Sequence, residues 1–221
     1  MALLIFDLDN TLYSSESFVQ ARSKAIHDKF KEIAKLEDHE DPEDVLWQKI
    51  KEKHTDGGKL SKTHIFLDHG CSREDFFKVL DTVDPRDHME ADIILRERLE
   101  SLKKEHELVL LSNSPMIQVE KTVEALGLKG VFSKAYGADL FEDSKPDHSV
   151  FKKVVEESGA RIEECISIGD SLYKDLKPSK ELGMKTILLK KHDYPEEDLK
   201  HADKVINHIH EIGEAVREVA K

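Results

Sequence analysis

Leu3-Leu4-Ile5-Phe6-Asp7-Leu8-Asp9-Asn10-Thr11 decides the reading of this chain: an apolar run with the length of a buried strand, then two carboxylates and a turn. Strand periodicity sets Asp7 and Asp9 on one face, side by side at the end of an otherwise apolar strand. Such a pair is costly without a cation or strong hydrogen bonds, because one carboxyl takes up a proton rather than stay charged where it is partly desolvated. Taken alone, the stretch reads equally well as a strand end passing into a turn, where Asp and Asn serve local hydrogen bonds.

Similar apolar runs recur at residues 108–111, 165–168 and 186–189, with weaker strand patterns at 131–136 and 205–206. Helical periodicity falls between or after them, at about 92–104, 115–126, 147–158, 172–182 and 208–219, and Gly127, Gly159 and Gly183 stand where helices should stop. Buried strands alternating with helices predict an α/β fold with a doubly wound, mainly parallel sheet.

From Ser14 to Arg86 the pattern changes, and helix signals follow one another with no convincing strand. Phe18, Ala25, Ile26, Phe30 and Ile33 form an apolar stripe, and Asp41-Pro42-Glu43-Asp44 opens a helix carrying Val45, Leu46 and Ile50. Gly57-Gly58 breaks the chain, Ser72 with Asp75 reads as a capping box, and Asp84-Pro85 is expected to close the helix that follows it. The expected division is an α/β core of residues 1–13 and 88–221 and a small all-helical domain of residues 14–87. The basic run 49–53 and the acidic group Glu196, Glu197 and Asp198 read as solvated surface.

The chain has 221 residues, 38% hydrophobic and 36% charged, which fits a soluble globular protein and excludes a channel or transporter. Its net charge of -12 disfavours a protein whose task is to grip a nucleic-acid polymer. Two cysteines, Cys71 and Cys165, are too few for a disulfide scaffold, and the N-terminal apolar run is too short for a signal peptide. The expected setting is the cytoplasm, with no membrane partner.

Three later segments carry polar chemistry directly after or near strands. Leu111-Ser112-Asn113-Ser114-Pro115 offers hydroxyls and free N–H groups at a helix start, which suit a phosphate and equally suit a simple helix cap. Lys145-Pro146-Asp147 precedes a helix, and its lysine gains interest only if it ends beside the carboxylates. Ile168-Gly169-Asp170-Ser171, with Asp175 beyond it, adds carboxylates at another strand end. In an open α/β sheet, ligands bind outside the carboxyl ends of the strands, so these distant segments can converge. An all-oxygen cluster of this kind suits a hard cation, and Mg²⁺ is the natural choice.

In this order, Asp7-Leu8-Asp9-Asn10-Thr11, Ser112, Lys145 and Gly169-Asp170 with Asp175 resemble the signature segments of phosphatases of the haloacid dehalogenase superfamily. The resemblance covers about residues 1–13 and 88–207, and the helical insert sits where many members carry a cap domain. It implies that Asp7 attacks phosphorus and that Asp9 first protonates the leaving oxygen and then activates water. It further implies Mg²⁺ held by Asp7, Asp170 and the backbone carbonyl of Asp9. Ser112 and Lys145 would hold the phosphoryl oxygens, Asn113 would add a backbone N–H, and Asp175 would support either Lys145 or the metal's water.

The implied substrate is a small phosphorylated metabolite: a nucleotide, a sugar phosphate or phosphoglycolate. The run from Asp7 to Tyr13 is similar to that of nucleotide-directed members; Arg22, Lys59, Lys62, His64 and Arg73 could each reach a leaving group, but in a chain with 34 basic residues and 12 histidines most of them read as surface and none is singled out. A dehalogenase would lack an acid equivalent to Asp9. A phosphomutase or phosphotransferase would keep every residue named, and a non-enzymatic phospho-accepting binding module is the third alternative.

Overall fold

Alternation of side chains along β1 (Leu3–Phe6) sends Leu4 and Phe6 into one hydrophobic layer and Leu3 and Ile5 into another. A strand buried on both faces in this way belongs in the interior of a parallel sheet covered by helices. In the computed structural model, which describes residues 1–53 and 62–220, β1 is joined by β2 (Glu107–Leu111), β3 (Lys134–Tyr136), β4 (Cys165–Gly169), β5 (Lys185–Leu189) and β6 (Lys204–Ile206). All pairings are parallel, in the order β3-β2-β1-β4-β5-β6. The sheet grows first to one side of β1 and then to the other, which makes the β2–β1–β4 centre the topological switch point. The pattern at 131–136 yields a strand only over its last three residues, because Val131 is drawn into the core and Phe132 packs edge-on against Phe6 at 5.8 Å.

By its internal contacts the chain divides into Met1–Ser14 with Met89–Lys221 as one unit and Ser15–His88 as the other. The second unit holds α1 (Glu16–Ala34), α2 (Pro42–Lys53), α3 (Lys62–Asp68) and α4 (Arg73–Asp81). Ile26 and Phe30 of α1 pack with Leu46, Ile50, Ile65, Phe66, Phe76 and Leu80 into a separate core. The capping box is present: Asp75 N donates to Ser72 Oγ and Ser72 N to Asp75 Oδ2, each at 3.0 Å. α4 ends at Asp81, earlier than expected, because Asp84 caps its own short 3-10 turn, Pro85–Asp87, by accepting from Arg86 N. Gly57, Gly58 and Lys59 lie outside the described residues.

Helices α5 (Ile93–Lys103), α6 (Met116–Ala125), α7 (His148–Ser158), α8 (Lys177–Leu182) and α9 (Ile212–Val219) belong to the first unit. Leu95 and Leu99 of α5, Val119 of α6 and Ile212, Ala215 and Val216 of α9 cover the Leu4/Phe6 face. Val150, Phe151, Val154 and Val155 of α7 cover the Leu3/Ile5 face. Each Leu, Ile, Val or Phe side chain among them contributes about 1.5–3 kcal/mol on full burial. The helix expected at 172–182 opens with a π-helical turn, Leu172–Leu176, in which Leu176 N reaches back to Ser171 O, and this wider turn carries the buried Asp175.

Candidate active site

Because β2 and β4 flank β1, the residues that follow these strands emerge at one end of the sheet: Asp7 after β1, Ser112 after β2 and Asp170 after β4. Asp7 N donates to Ile168 O at 2.8 Å, which holds the residue in line with the ladder while its carboxylate leaves the sheet. Asp7 Oδ2 accepts from Thr11 Oγ1 at 2.8 Å, and Oδ1 accepts from Lys145 Nζ at 2.6 Å. The same Thr11 hydroxyl oxygen accepts from Asp170 N at 3.0 Å, so one buried side chain fastens the loop after β1 to the loop after β4. Thr11 stands in the decisive stretch but was not expected among the site residues; its four-residue spacing from Asp7 across a turn is the signal that identifies it.

Lys145 is buried, and its Nζ donates to Asp175 Oδ1 at 2.6 Å as well as to Asp7. Its main chain is gripped from both ends by one side chain: Lys145 N donates to Asn113 Oδ1, and Asn113 Nδ2 donates to Lys145 O, each at 2.9 Å. The expected role of Asn113 is a backbone N–H offered to a phosphate; its side chain in addition forms this clamp. Asp175 Oδ2 accepts from Ser171 N at 3.1 Å, and its carbonyl accepts from Ser179 Oγ at 2.6 Å. A Cβ on residue 169 would lie 2.5 Å from Asp175 Oδ2, so only glycine lets β4 end this close to that carboxylate.

Leu8 follows Leu4 and Phe6 into one core layer, in keeping with the expected alternation, and the Asp9 charge acts on Asp7. The strand ends at Phe6 and the chain turns, with Leu12 N donating to Leu8 O at 3.0 Å and Asn10 at φ 61°. The Asp9 carboxylate accepts from Tyr13 OH at 2.5 Å, Ser114 Oγ at 2.8 Å and Ser112 Oγ at 3.1 Å. The two aspartates therefore belong to two different hydrogen-bond sets, one built around Lys145 and one around hydroxyls.

Asp7, Asp170 and Asp175 each offer an oxygen, and these atoms lie within 4.8 Å of one another. Burial pushes the Asp7 carboxyl up to about 6 against the pull of Lys145, with Asp175 and Asp9 adding to the rise. Burial also pushes Asp170 up to about 6, and the Asp7 charge adds to it. Asp175 is raised by burial in the same way. Burial opposes the charge on Lys145, but Asp175 and Asp7 outweigh it and hold the ammonium above the ordinary lysine range. Three carboxylates against one ammonium leave two negative charges in excess. That surplus and the all-oxygen donor set fit a hard dication such as Mg²⁺.

Among the basic residues of the helical insert named above, Arg22 lies over the Phe18 ring at 5.4 Å, Lys62 over Trp47 at 5.7 Å and Arg73 over Phe77 at 5.3 Å. His64 is exposed, and Lys59 lies outside the described residues. Among the described residues no helix is long and apolar enough to cross a membrane.

The sequence profile of the haloacid dehalogenase-like hydrolases matches residues 4–189. A glyceraldehyde 3-phosphate phosphatase of Methanocaldococcus jannaschii is 30% identical over 99% of this chain and 98% of its own. A phosphoglycolate phosphatase of Aquifex aeolicus is 27% identical over 85% of this chain and 84% of its own. The crystal structure of a phosphatase from Thermococcus onnurineus shares the fold with a TM-score of 0.71, at 20% identity and 98% coverage of both chains. The chain belongs to the haloacid dehalogenase-like hydrolases.

Proposed function

We propose that the protein is a Mg²⁺-dependent phosphomonoesterase that acts on a small phosphorylated metabolite through an aspartyl-phosphate on Asp7. The observation that carries this reading is the Lys145 ammonium held 2.6 Å from both Asp7 and Asp175, within a buried carboxylate cluster that includes Asp170. Asp7 and Asp170, with the backbone carbonyl of Asp9, are the groups to hold Mg²⁺, which when bound supplies the positive charge that offsets repulsion between a carboxylate and a phosphate.

Asp7 attacks phosphorus; the bond from a carboxylate oxygen to phosphorus forms as the bond from phosphorus to the leaving oxygen breaks. Asp9 gives its proton to that oxygen, and the alcohol departs. Asp9, now a carboxylate, takes a proton from water as the water oxygen attacks phosphorus, and the Asp7–phosphorus bond breaks to release inorganic phosphate. Ser112 and Lys145 hold the phosphoryl oxygens, and Asp175 keeps Lys145 charged and aimed. Residues 1–13 and 88–221 form the catalytic core in this reading, and the helical insert 14–87 selects the leaving group.

Glyceraldehyde 3-phosphate is the first substrate to test, because the relative that covers 99% of the chain is named for it, followed by phosphoglycolate. The net charge of -12 supports a metabolite rather than a nucleic-acid polymer as the partner, and two free thiols support a reducing, cytoplasmic setting. The test is phosphate release from sugar phosphates, phosphoglycolate, nucleotides and an aryl phosphate, with Mg²⁺ and with chelator. Metal-dependent release is the expected result. Transfer of the phosphoryl group to a second metabolite without free phosphate would make the protein a phosphotransferase instead.

A further inference from the structure

Three hydroxyls converge on the Asp9 carboxylate, and two of them, those of Tyr13 and Ser114, have no part in the reaction as derived above. Tyr13 reaches Asp9 Oδ1 from four residues along the same loop, at 2.5 Å, and its ring rests against the main core. Ser114 reaches Oδ2 at 2.8 Å from the loop after β2, 105 residues away in sequence. Its own backbone is fixed, since Ser114 N donates to Ser112 Oγ at 3.0 Å and its carbonyl accepts from Ala138 N at 2.9 Å. The carboxylate is thus held from two sides by groups carried on separate, anchored segments.

We infer that Tyr13 and Ser114 are positioning residues that hold the Asp9 carboxyl in place for proton transfer to and from the reacting oxygens. The inference rests on the acid–base assignment of Asp9. Hydroxyls suit this task, because a hydroxyl donates to a carboxylate and accepts from a carboxylic acid, whereas an ammonium or an amide N–H only donates. The same two side chains therefore keep hold of Asp9 before and after it gives up its proton. Loss of either removes one of the three hydroxyls that hold the carboxyl and lets it shift relative to the leaving oxygen, and displacements near 1 Å cost about 100-fold in rate.

The test exploits leaving-group chemistry. An alkoxide needs a proton as its bond to phosphorus breaks, and 4-nitrophenolate leaves without one. Values of kcat/KM report the steps up to departure of the leaving group, so they are compared for the alkyl phosphomonoester hydrolysed fastest and for 4-nitrophenyl phosphate. Tyr13→Phe and Ser114→Ala are each expected to lower the alkyl value about tenfold and the aryl value less than about threefold, and Asp9→Asn to show the same imbalance more strongly. Equal losses on the two substrates, or no loss in either variant, overturn the positioning assignment while Asp9→Asn keeps its imbalance. Equal losses in Asp9→Asn itself would instead overturn the acid–base reading of Asp9, and the positioning assignment with it. Tyr13→Phe changes a single oxygen, so its result stands even if Ser114→Ala folds poorly.

Discussion

Lys145 Nζ stands 2.6 Å from Asp7 Oδ1 although 138 residues separate the two in sequence, and both side chains are buried. The contact joins the turn before α7 to the end of β1, and Asp175 completes it from the far side at 2.6 Å. A buried carboxylate cluster is tolerable only while its cation stays in place.

Replacing Lys145 by Met should therefore damage both stability and chemistry. Removing one partner of a buried ion pair costs about 3–5 kcal/mol, because the carboxylates left behind are uncompensated. Thermal melts should show this loss at pH 7.5 and a smaller one at pH 5, where the stranded carboxyls protonate. Phosphatase activity should be lost at both pH values.

In the metal-free protein Asp7 and Asp170 should contribute stability in mild acid that is lost at neutrality. Asp7 and Asp170 are each raised from 3.8 to about 6 in the folded chain. Between those values the native state binds more protons than the unfolded state, so stability falls as pH rises through that window. The full stability contribution is present below about pH 4 and is lost above about pH 6, on the order of a few kcal/mol for the two groups together. Melting in chelator across pH 4–8 measures it, and added Mg²⁺ should raise the melting temperature more at pH 7.5 than at pH 5.

Gly169→Ala should disturb the site without touching a reacting group. The new Cβ would meet Asp175 at 2.5–2.6 Å, and relieving that contact pushes the carboxylate off Lys145. Overpacking of this kind costs about 1–3 kcal/mol. Calorimetry and kcat measurements on one preparation should both show losses, with kcat falling more than stability alone explains.

Asn113→Ala removes both hydrogen bonds that clamp the Lys145 main chain. The stability loss should be about 1–3 kcal/mol, the cost of partly buried polar groups left unpaired. If the clamp aims Lys145 at the phosphoryl group, KM for the best substrate should rise together with a fall in kcat. Unchanged kinetics in a folded Asn113→Ala variant would leave the clamp with a purely structural role.

Much of the fold could be read from local pattern, because its strands are continuous apolar runs and its helices carry periodic stripes between clear stops. Leu3–Phe6 and the α4 capping box at Ser72 and Asp75 are cases where a few neighbouring residues set the structure. What pattern could not give was where extended chain stops. Periodicity accounts for Leu8 joining Leu4 and Phe6 in the core, but not for the turn beyond it, with Asn10 at φ 61°, nor for the hydroxyls of Tyr13, Ser112 and Ser114 that meet Asp9. Within the site, residue type and position after a strand point to Asp7, Ser112 and Asp170, whereas Lys145, before a helix, gains its meaning only from the carboxylates it meets. The bridging of Thr11 and the side-chain clamp of Asn113 depend on partners 159 and 32 residues away, and no local pattern encodes such pairs.

The most direct test of the central claim is to quench the enzyme in acid during turnover of a phosphomonoester labelled in its phosphoryl group, and to locate the label by peptide mass spectrometry. The account predicts a phosphoryl group on Asp7 in the native protein, with no label and no turnover in a folded Asp7→Asn variant. Steady turnover by Asp7→Asn, or a phosphoryl group found on another residue, would contradict it.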